Sequence, residues 1–354
     1  MLGAVYGAQQ EPGHGALGTG HWARGRRAQG AGRLVLCGAQ QEPGHGARGR
    51  RAQNTQGAEP AGVFIPRYSV RKITDQMLYG LYRREKTMEI SSRNLNLRQI
   101  TDSGQCFRMV MEGEDRAFVT AYGRRLTIED KGEGRFDLSC SSKEYESIWR
   151  SYFDMDTDYS EYIGAIDRKD GFLMKAAEYG EGIRILRQEP FETLISFIIS
   201  QRKNIPAIRS SVERLCRLAG NKISGDIYAF PKPEAICALS DEELSGCSLG
   251  YRTEYVREAA EGVSSSRIDL DGYYSLSDDE LMEELMSIKG VGRKVANCVM
   301  LFAYHRIGAF PVDVWIERIV DRYYEGRFPA EKYEGFAGVM QQYMFFYGRG
   351  ANRE

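Results

Sequence analysis

Residues Ser287–Asp313 read SIKGVGRKVANCVMLFAYHRIGAFPVD. Apolar residues recur at helical spacing on both sides of a Gly-Val-Gly turn: Leu281, Leu285 and Ile288 before it, and Val295, Val299 and Phe302 after it. Ser277 followed by Glu280 is a capping-box signal that opens the first helix. Gly290 and Gly292 let the backbone turn tightly and approach another surface with no side chain in the way. The second helix then offers free N–H groups and a positive dipole end, which suits a phosphate. The pattern is a helix-hairpin-helix element, and its natural partner is a DNA backbone.

Lys294 and Asp313 make that grip a candidate active site. A lysine on the first turn of a helix is, taken alone, a solvated surface charge. In this setting it has a second use, because a deprotonated amine attacks the anomeric carbon of a deoxyribose and forms a Schiff base. Lysine loses its charge readily in a desolvated pocket, whereas arginine stays protonated. Asp313, after Pro311 at the end of an apolar run, can orient the amine, stabilise oxocarbenium-like charge or relay protons. It also reads as the N-cap of a helix beginning near Val314, and both roles can hold at once.

Working outward, further blocks join this one: SGQCF at Ser103–Phe107, LRQEPFETLISFIISQ at Leu186–Gln201, LGYR at Leu249–Arg252 and AGVMQQYMF at Ala337–Phe345. Together with GVGRKVANC and PVDV, and in this order, they resemble the 8-oxoguanine DNA glycosylase/AP lyase family, in a bacterial-type form. The resemblance covers about Leu95 to about Arg349. It implies an α+β architecture, with a small N-terminal antiparallel β domain followed by a mostly helical domain that carries the catalytic Lys294 and Asp313. It also implies base flipping, since a glycosylase cannot reach its bond inside a stacked duplex.

By the same resemblance, individual residues take roles. Cys298, one helical turn past Lys294, lies against one face of the flipped base, and Phe345 stacks on the other. Gln341 reads the Watson–Crick edge, for which an amide supplies both donor and acceptor. Gly104 matches the glycine whose carbonyl accepts from the N7–H found in 8-oxoguanine and absent from guanine. Tyr251 and Arg252 match a wedge and a cytosine-contacting arginine, and Arg202, Asn204, Gly290 and Gly292 complete the DNA-binding set. Unaided by the resemblance, Phe345 would read as helix core, Cys298 as a small buried hydrophobe and Gln341 as surface. Departures exist: Arg202 stands at the family's gap-filling asparagine, Ala207 replaces a second cytosine-reading arginine, and Trp315 replaces a phosphate-contacting histidine. They predict loose selectivity for the opposite base.

Composition sets the frame. Residues 1–86 repeat GAQQEPGHGA and GRRAQ, lack a sustained apolar period and carry 13 Lys/Arg against 5 Asp/Glu. Such a segment cannot bury enough surface to offset its ordering entropy. Residues 1–87 therefore read as a low-complexity extension, either a basic DNA-tethering arm or sequence upstream of a true start at Met88. The rest holds 35 basic and 44 acidic residues, so DNA binding must be a local patch on an acidic body. The sequence reading divides that body into 88–187 and 188–354.

Seven cysteines without C-x-x-C pairing, and a lone His305 outside the extension, argue against a metal site. No metal or other cofactor is expected. Reduced thiols point to an intracellular, DNA-associated protein such as a bacterial cytoplasmic or nucleoid enzyme. No apolar run reaches membrane-spanning length, and the expected state is a monomer on double-stranded DNA. Strand-like runs at Phe107–Met111, Ala117–Ala121 and Leu126–Glu129 are separated by turn signals, and helical spacing takes over from Ser142. Two rival readings use the same scaffold: an alkylpurine glycosylase that works by water attack, and a noncatalytic helix-hairpin-helix DNA-binding module.

Overall fold

The structure, a computed structural model, describes residues 87–350. The expected extension at residues 1–87 lies outside them save for its last residue. Five antiparallel strands form the N-terminal sheet: β1 (Met88–Ser91), β2 (Met109–Glu112), β3 (Arg116–Ala121), β4 (Arg124–Asp130) and β5 (Arg135–Leu138), in the order β1-β5-β4-β3-β2. Glycines at Gly113, Gly123 and Gly132 with positive φ turn the chain between successive strands. The three expected strands are present, and β1 and β5 extend the sheet beyond them. Register alternation sends Met109, Val119, Leu126, Ile128, Phe136 and Leu138 to one face. That face buries helix α1 (Leu97–Asp102) and the Trp149–Tyr152–Phe153 aromatic cluster.

A helical stretch from Ser142 to Tyr152 carries that cluster, and after it come α2 (Tyr159–Gly164), α3 (Gly171–Tyr179), α4 (Pro190–Ser200), α5 (Ile205–Ala219), α6 (Pro233–Cys237), α7 (Asp241–Gly246), α8 (Arg252–Ser264), α9 (Asp278–Ser287), α10 (Arg293–Phe302), α11 (Val314–Tyr324) and α12 (Ala337–Gly350), with 3-10 turns at Gly272–Ser275 and Ala330–Tyr333. Helix α4 is buried from Thr193 to Ile199, which its LISFII run requires, and α5, α8 and α10 pack around it. Helix α12 lies against α3 and α11. The apolar residues of α2 and α3, including Tyr159, Leu173 and Ala176, belong to this helical core, although they precede the 187/188 division drawn from sequence. The reason is coverage: α3 shields one flank of α12. A short hairpin, Lys222–Ser224 with Ile227–Tyr228, also interrupts the helical part.

The two cores meet at a seam that positions the site. Phe107, just before β2, reaches the helical core and packs edge-on against Phe197 of α4, with ring centroids 5.4 Å apart. Leu186 crosses the other way into the sheet core. Buried Gln105 stitches the seam: Nε2 donates to Ser103 Oγ (3.0 Å) and the Arg184 carbonyl (2.9 Å), and Oε1 accepts from Leu186 N (2.8 Å). Gln188 Nε2 donates to the Gln105 carbonyl (2.8 Å), and the Gln188 N–H reaches the Phe302 carbonyl at the end of α10 (2.8 Å). Gln105 uses both ends of its amide and its carbonyl in this stitch, which fixes the loop around Gly104 relative to α10.

Candidate active site

The hairpin follows from its residues. Ser277 and Glu280 form the complete capping box at the start of α9. Gly290 has φ +83°, and a Cβ there would stand 2.4 Å from the Tyr255 ring, so only glycine fits. Its carbonyl accepts from Gln201 Nε2 at 2.9 Å. Lys289 braces the same turn against α8 through Glu254 (2.6 Å) and Glu258 (2.9 Å). Gly292 is the N-cap of α10, where no side chain caps the helix. A Cβ on Gly292 would meet nothing within 4 Å, so internal packing does not demand glycine there. The open space and uncapped N–H groups form a surface suited to an anion from outside.

Lys294 stands on the first turn of α10, with Nζ 5.1 Å from the centroid of the Phe197 ring. Cys298, one turn on, is buried. Burial pushes its thiol up from the ordinary cysteine range, while the nearby Lys294 ammonium pulls the other way and Asp313 adds to the rise. The group is therefore a neutral thiol, an apolar part of the cleft and not a competing nucleophile. Asp313 caps α11, and both capping bonds, from Trp315 N (3.0 Å) and Ile316 N (2.9 Å), fall on Oδ1. The cap leaves Oδ2 unused.

One cleft collects these groups: Lys294, Cys298 and Asp313 line it with Gly104, Gln341 and Phe345, backed by Phe197, Phe302 and Pro311. Its volume is about 40 Å³. Phe345 is the half-buried wall, and a Cβ on Gly104, whose φ is +78°, would come within 3.1 Å of its ring. Gln341 is buried, with Nε2 donating to the Pro311 carbonyl (3.0 Å) and Oε1 accepting from Gln342 Nε2 (2.9 Å). Gln342 lines the cleft too, and sequence reasoning passed over it. The doubled QQ on a face shared with Phe345 was the signal for it.

The other predicted residues lie outside this lining, around the α4–α5 turn, the start of α8 and the hairpin. Tyr251 is 51% exposed at the N-cap of α8. Arg252 is buried to 6% exposure, stacks over Tyr251 at 4.3 Å and donates from Nη1 to the Leu249 carbonyl (3.0 Å) and from Nη2 to the Gln201 carbonyl. One N–H on each terminal nitrogen is thus taken by the protein's own backbone, while the buried Nε has no partner. Arg202 is exposed with φ +52°, and Asn204 caps α5 by accepting from Ala207 N (2.9 Å). Among the described residues no His/Cys/Asp/Glu cluster is able to hold a metal, and all six cysteines there are free. No described helix is long and apolar enough to cross a membrane.

This is the scaffold and cleft of a helix-hairpin-helix excision enzyme. Residues 87–194 match the 8-oxoguanine DNA glycosylase N-terminal domain, and residues 195–333 match the HhH-GPD superfamily of base excision DNA repair proteins. A probable N-glycosylase/DNA lyase of Methanothermobacter thermautotrophicus is 28% identical over 302 residues, spanning 74% of this chain and 96% of the relative. The N-glycosylase/DNA lyase of Saccharomyces cerevisiae is 41% identical over 160 residues, 41% of this chain and 43% of the relative. The solved 8-oxoguanine glycosylase/lyase of Clostridium acetobutylicum, in complex with double-stranded DNA containing cytosine opposite 8-oxoguanine, superimposes with a TM-score of 0.70. Its identity is 31%, over 75% of this chain and 98% of that one. The chain belongs to the 8-oxoguanine DNA glycosylase family.

Proposed function

We propose that this chain excises 8-oxoguanine from duplex DNA and nicks the abasic strand, with Lys294 as nucleophile. The observation that carries the reading is the convergence of an amine, a carboxylate with one oxygen unused by its cap, and a buried amide in one cleft beside the hairpin. The uncapped start of α10 holds a backbone phosphate, and the target nucleotide swings into the cleft as Phe345 yields. The base sits between Cys298 and Phe345, with Gly104 O accepting its N7–H. Deprotonated Lys294 Nζ bonds to C1′ as the glycosidic bond breaks, and the base leaves carrying a proton. Asp313 Oδ2 stabilises the positive charge that develops on the sugar. Ring opening gives the Schiff base, loss of a C2′ proton follows, and the 3′-phosphate departs by β-elimination.

The reading takes the protein as a monomer acting on double-stranded DNA in an intracellular setting. Lys294 in the cleft favours this reading over alkylpurine release by water, which has no use for an amine there. Incubation with 8-oxoguanine duplex and borohydride tests it. A covalent protein–DNA adduct is expected, together with no adduct on an alkylated duplex. Release of alkylated bases without trapping would replace this reading by its rival.

A further inference from the structure

The amide orientations in the cleft form a forced chain that starts at Pro311. Its carbonyl can only accept, so the group of Gln341 facing it at 3.0 Å must be the amine, Nε2. Gln341 Oε1 then faces Gln342, which must present its own Nε2 at 2.9 Å. That leaves Gln342 Oε1 with no donor in a residue 3% exposed, the last link of the chain. A buried amide oxygen without a partner is costly to the fold. Gln342 nonetheless lines the cleft and sits three residues before Phe345, on the face that turns toward an incoming base.

We propose that Gln342 is a second reader of the flipped base, its Oε1 accepting from the exocyclic 2-amino group of 8-oxoguanine. The proposal rests on the reading of the cleft as an 8-oxoguanine site. Hydrogen counting selects the group. The Watson–Crick edge of this base carries one N1–H and two amino hydrogens. Gln341 Oε1 already accepts from Gln342 and keeps one lone pair, enough for N1–H. The amine needs another acceptor, and Gln342 Oε1 is the buried side-chain oxygen among the lining residues left without a donor. Entry of the base thus satisfies an oxygen that the empty protein leaves unpaired.

A purely structural Gln342, serving only to hold Gln341, would affect all oxidised purines alike. Single-turnover excision by the wild type and by Gln342→Met distinguishes the two roles, using duplexes with 8-oxoguanine or 8-oxohypoxanthine opposite cytosine. The second base keeps N1–H, N7–H and O8 and lacks only the 2-amine. The wild type should favour 8-oxoguanine by on the order of tenfold, and Gln342→Met should slow that substrate to near the rate of the other. Any loss of folded protein scales both rates equally, so the ratio reports recognition alone. A ratio that survives the substitution, or a wild type without preference, overturns the proposal. A wild type that excises neither base overturns the functional reading itself, an outcome distinct from an unchanged ratio.

Discussion

The cleft and the region around Asn204, Tyr251 and Arg252 treat their polar groups differently. In the cleft, Asp313 keeps Oδ2 out of its helix cap and Gln342 keeps Oε1 out of every bond. In the other region, Arg252 donates to the Leu249 and Gln201 carbonyls, and Asn204 spends its amide oxygen capping α5. Tyr251 and Arg202 stand exposed there, the Tyr251 ring with Arg252 over it. The cleft groups stand ready for a ligand, whereas Arg252, buried and held to two backbone carbonyls, has only the N–H groups those bonds leave over for any further contact. Preorganisation is concentrated where the chemistry happens.

Lys294→Gln probes the cleft hardest. It should lower excision by about 10⁴-fold or more and abolish borohydride trapping, while lesion-duplex affinity in a filter-binding assay changes little. Substantial excision by the folded variant would remove the amine from the mechanism. Asp313→Asn comes next. Asparagine caps a helix about as well as aspartate, so the melting temperature should hold while excision falls by roughly 10²–10⁴-fold. A loss of stability with unchanged turnover would reduce Asp313 to a cap.

In the other region, a matched pair sharpens the contrast. Arg252→Ala removes a buried, doubly bonded fork and should destabilise the fold by about 1–3 kcal/mol in chemical denaturation. Tyr251→Ala should leave stability within ~0.5 kcal/mol and weaken DNA binding by roughly 1–3 kcal/mol. If Arg252→Ala melts normally and loses only cytosine preference, the region is a preformed reader after all. The smallest effect is expected from Ala207→Arg at an exposed position on α5. One regained bidentate contact is worth about 1–3 kcal/mol of base discrimination. It should narrow the range of opposite bases accepted, as measured by excision opposite each of the four.

What was legible in the chain was what local pattern encodes. Gly290, Lys294 and Asp313 announce themselves because a turn, a first helical turn and a cap are decided by neighbours a few residues away. Strands β2, β3 and β4 show through alternation and glycine turns. Strand β1 did not, because four residues carry too little pattern and its partner comes much later, Met88 pairing with Leu138. Gln105 and Gln188 looked like ordinary polar residues, since their partners lie 79–83 positions away and only folding brings them together. Arg252 read as an outward-facing contact because its burial depends on where α4 ends. Phe197, beneath Lys294, passed as core in an apolar run, which it also is.

Gln201 joins the two sides that the comparison separates. Its side-chain amide holds the hairpin at the Gly290 carbonyl, and its own carbonyl receives Arg252. One residue is therefore a shared pivot for the hairpin turn and the start of α8, and neither can shift without pulling on the other.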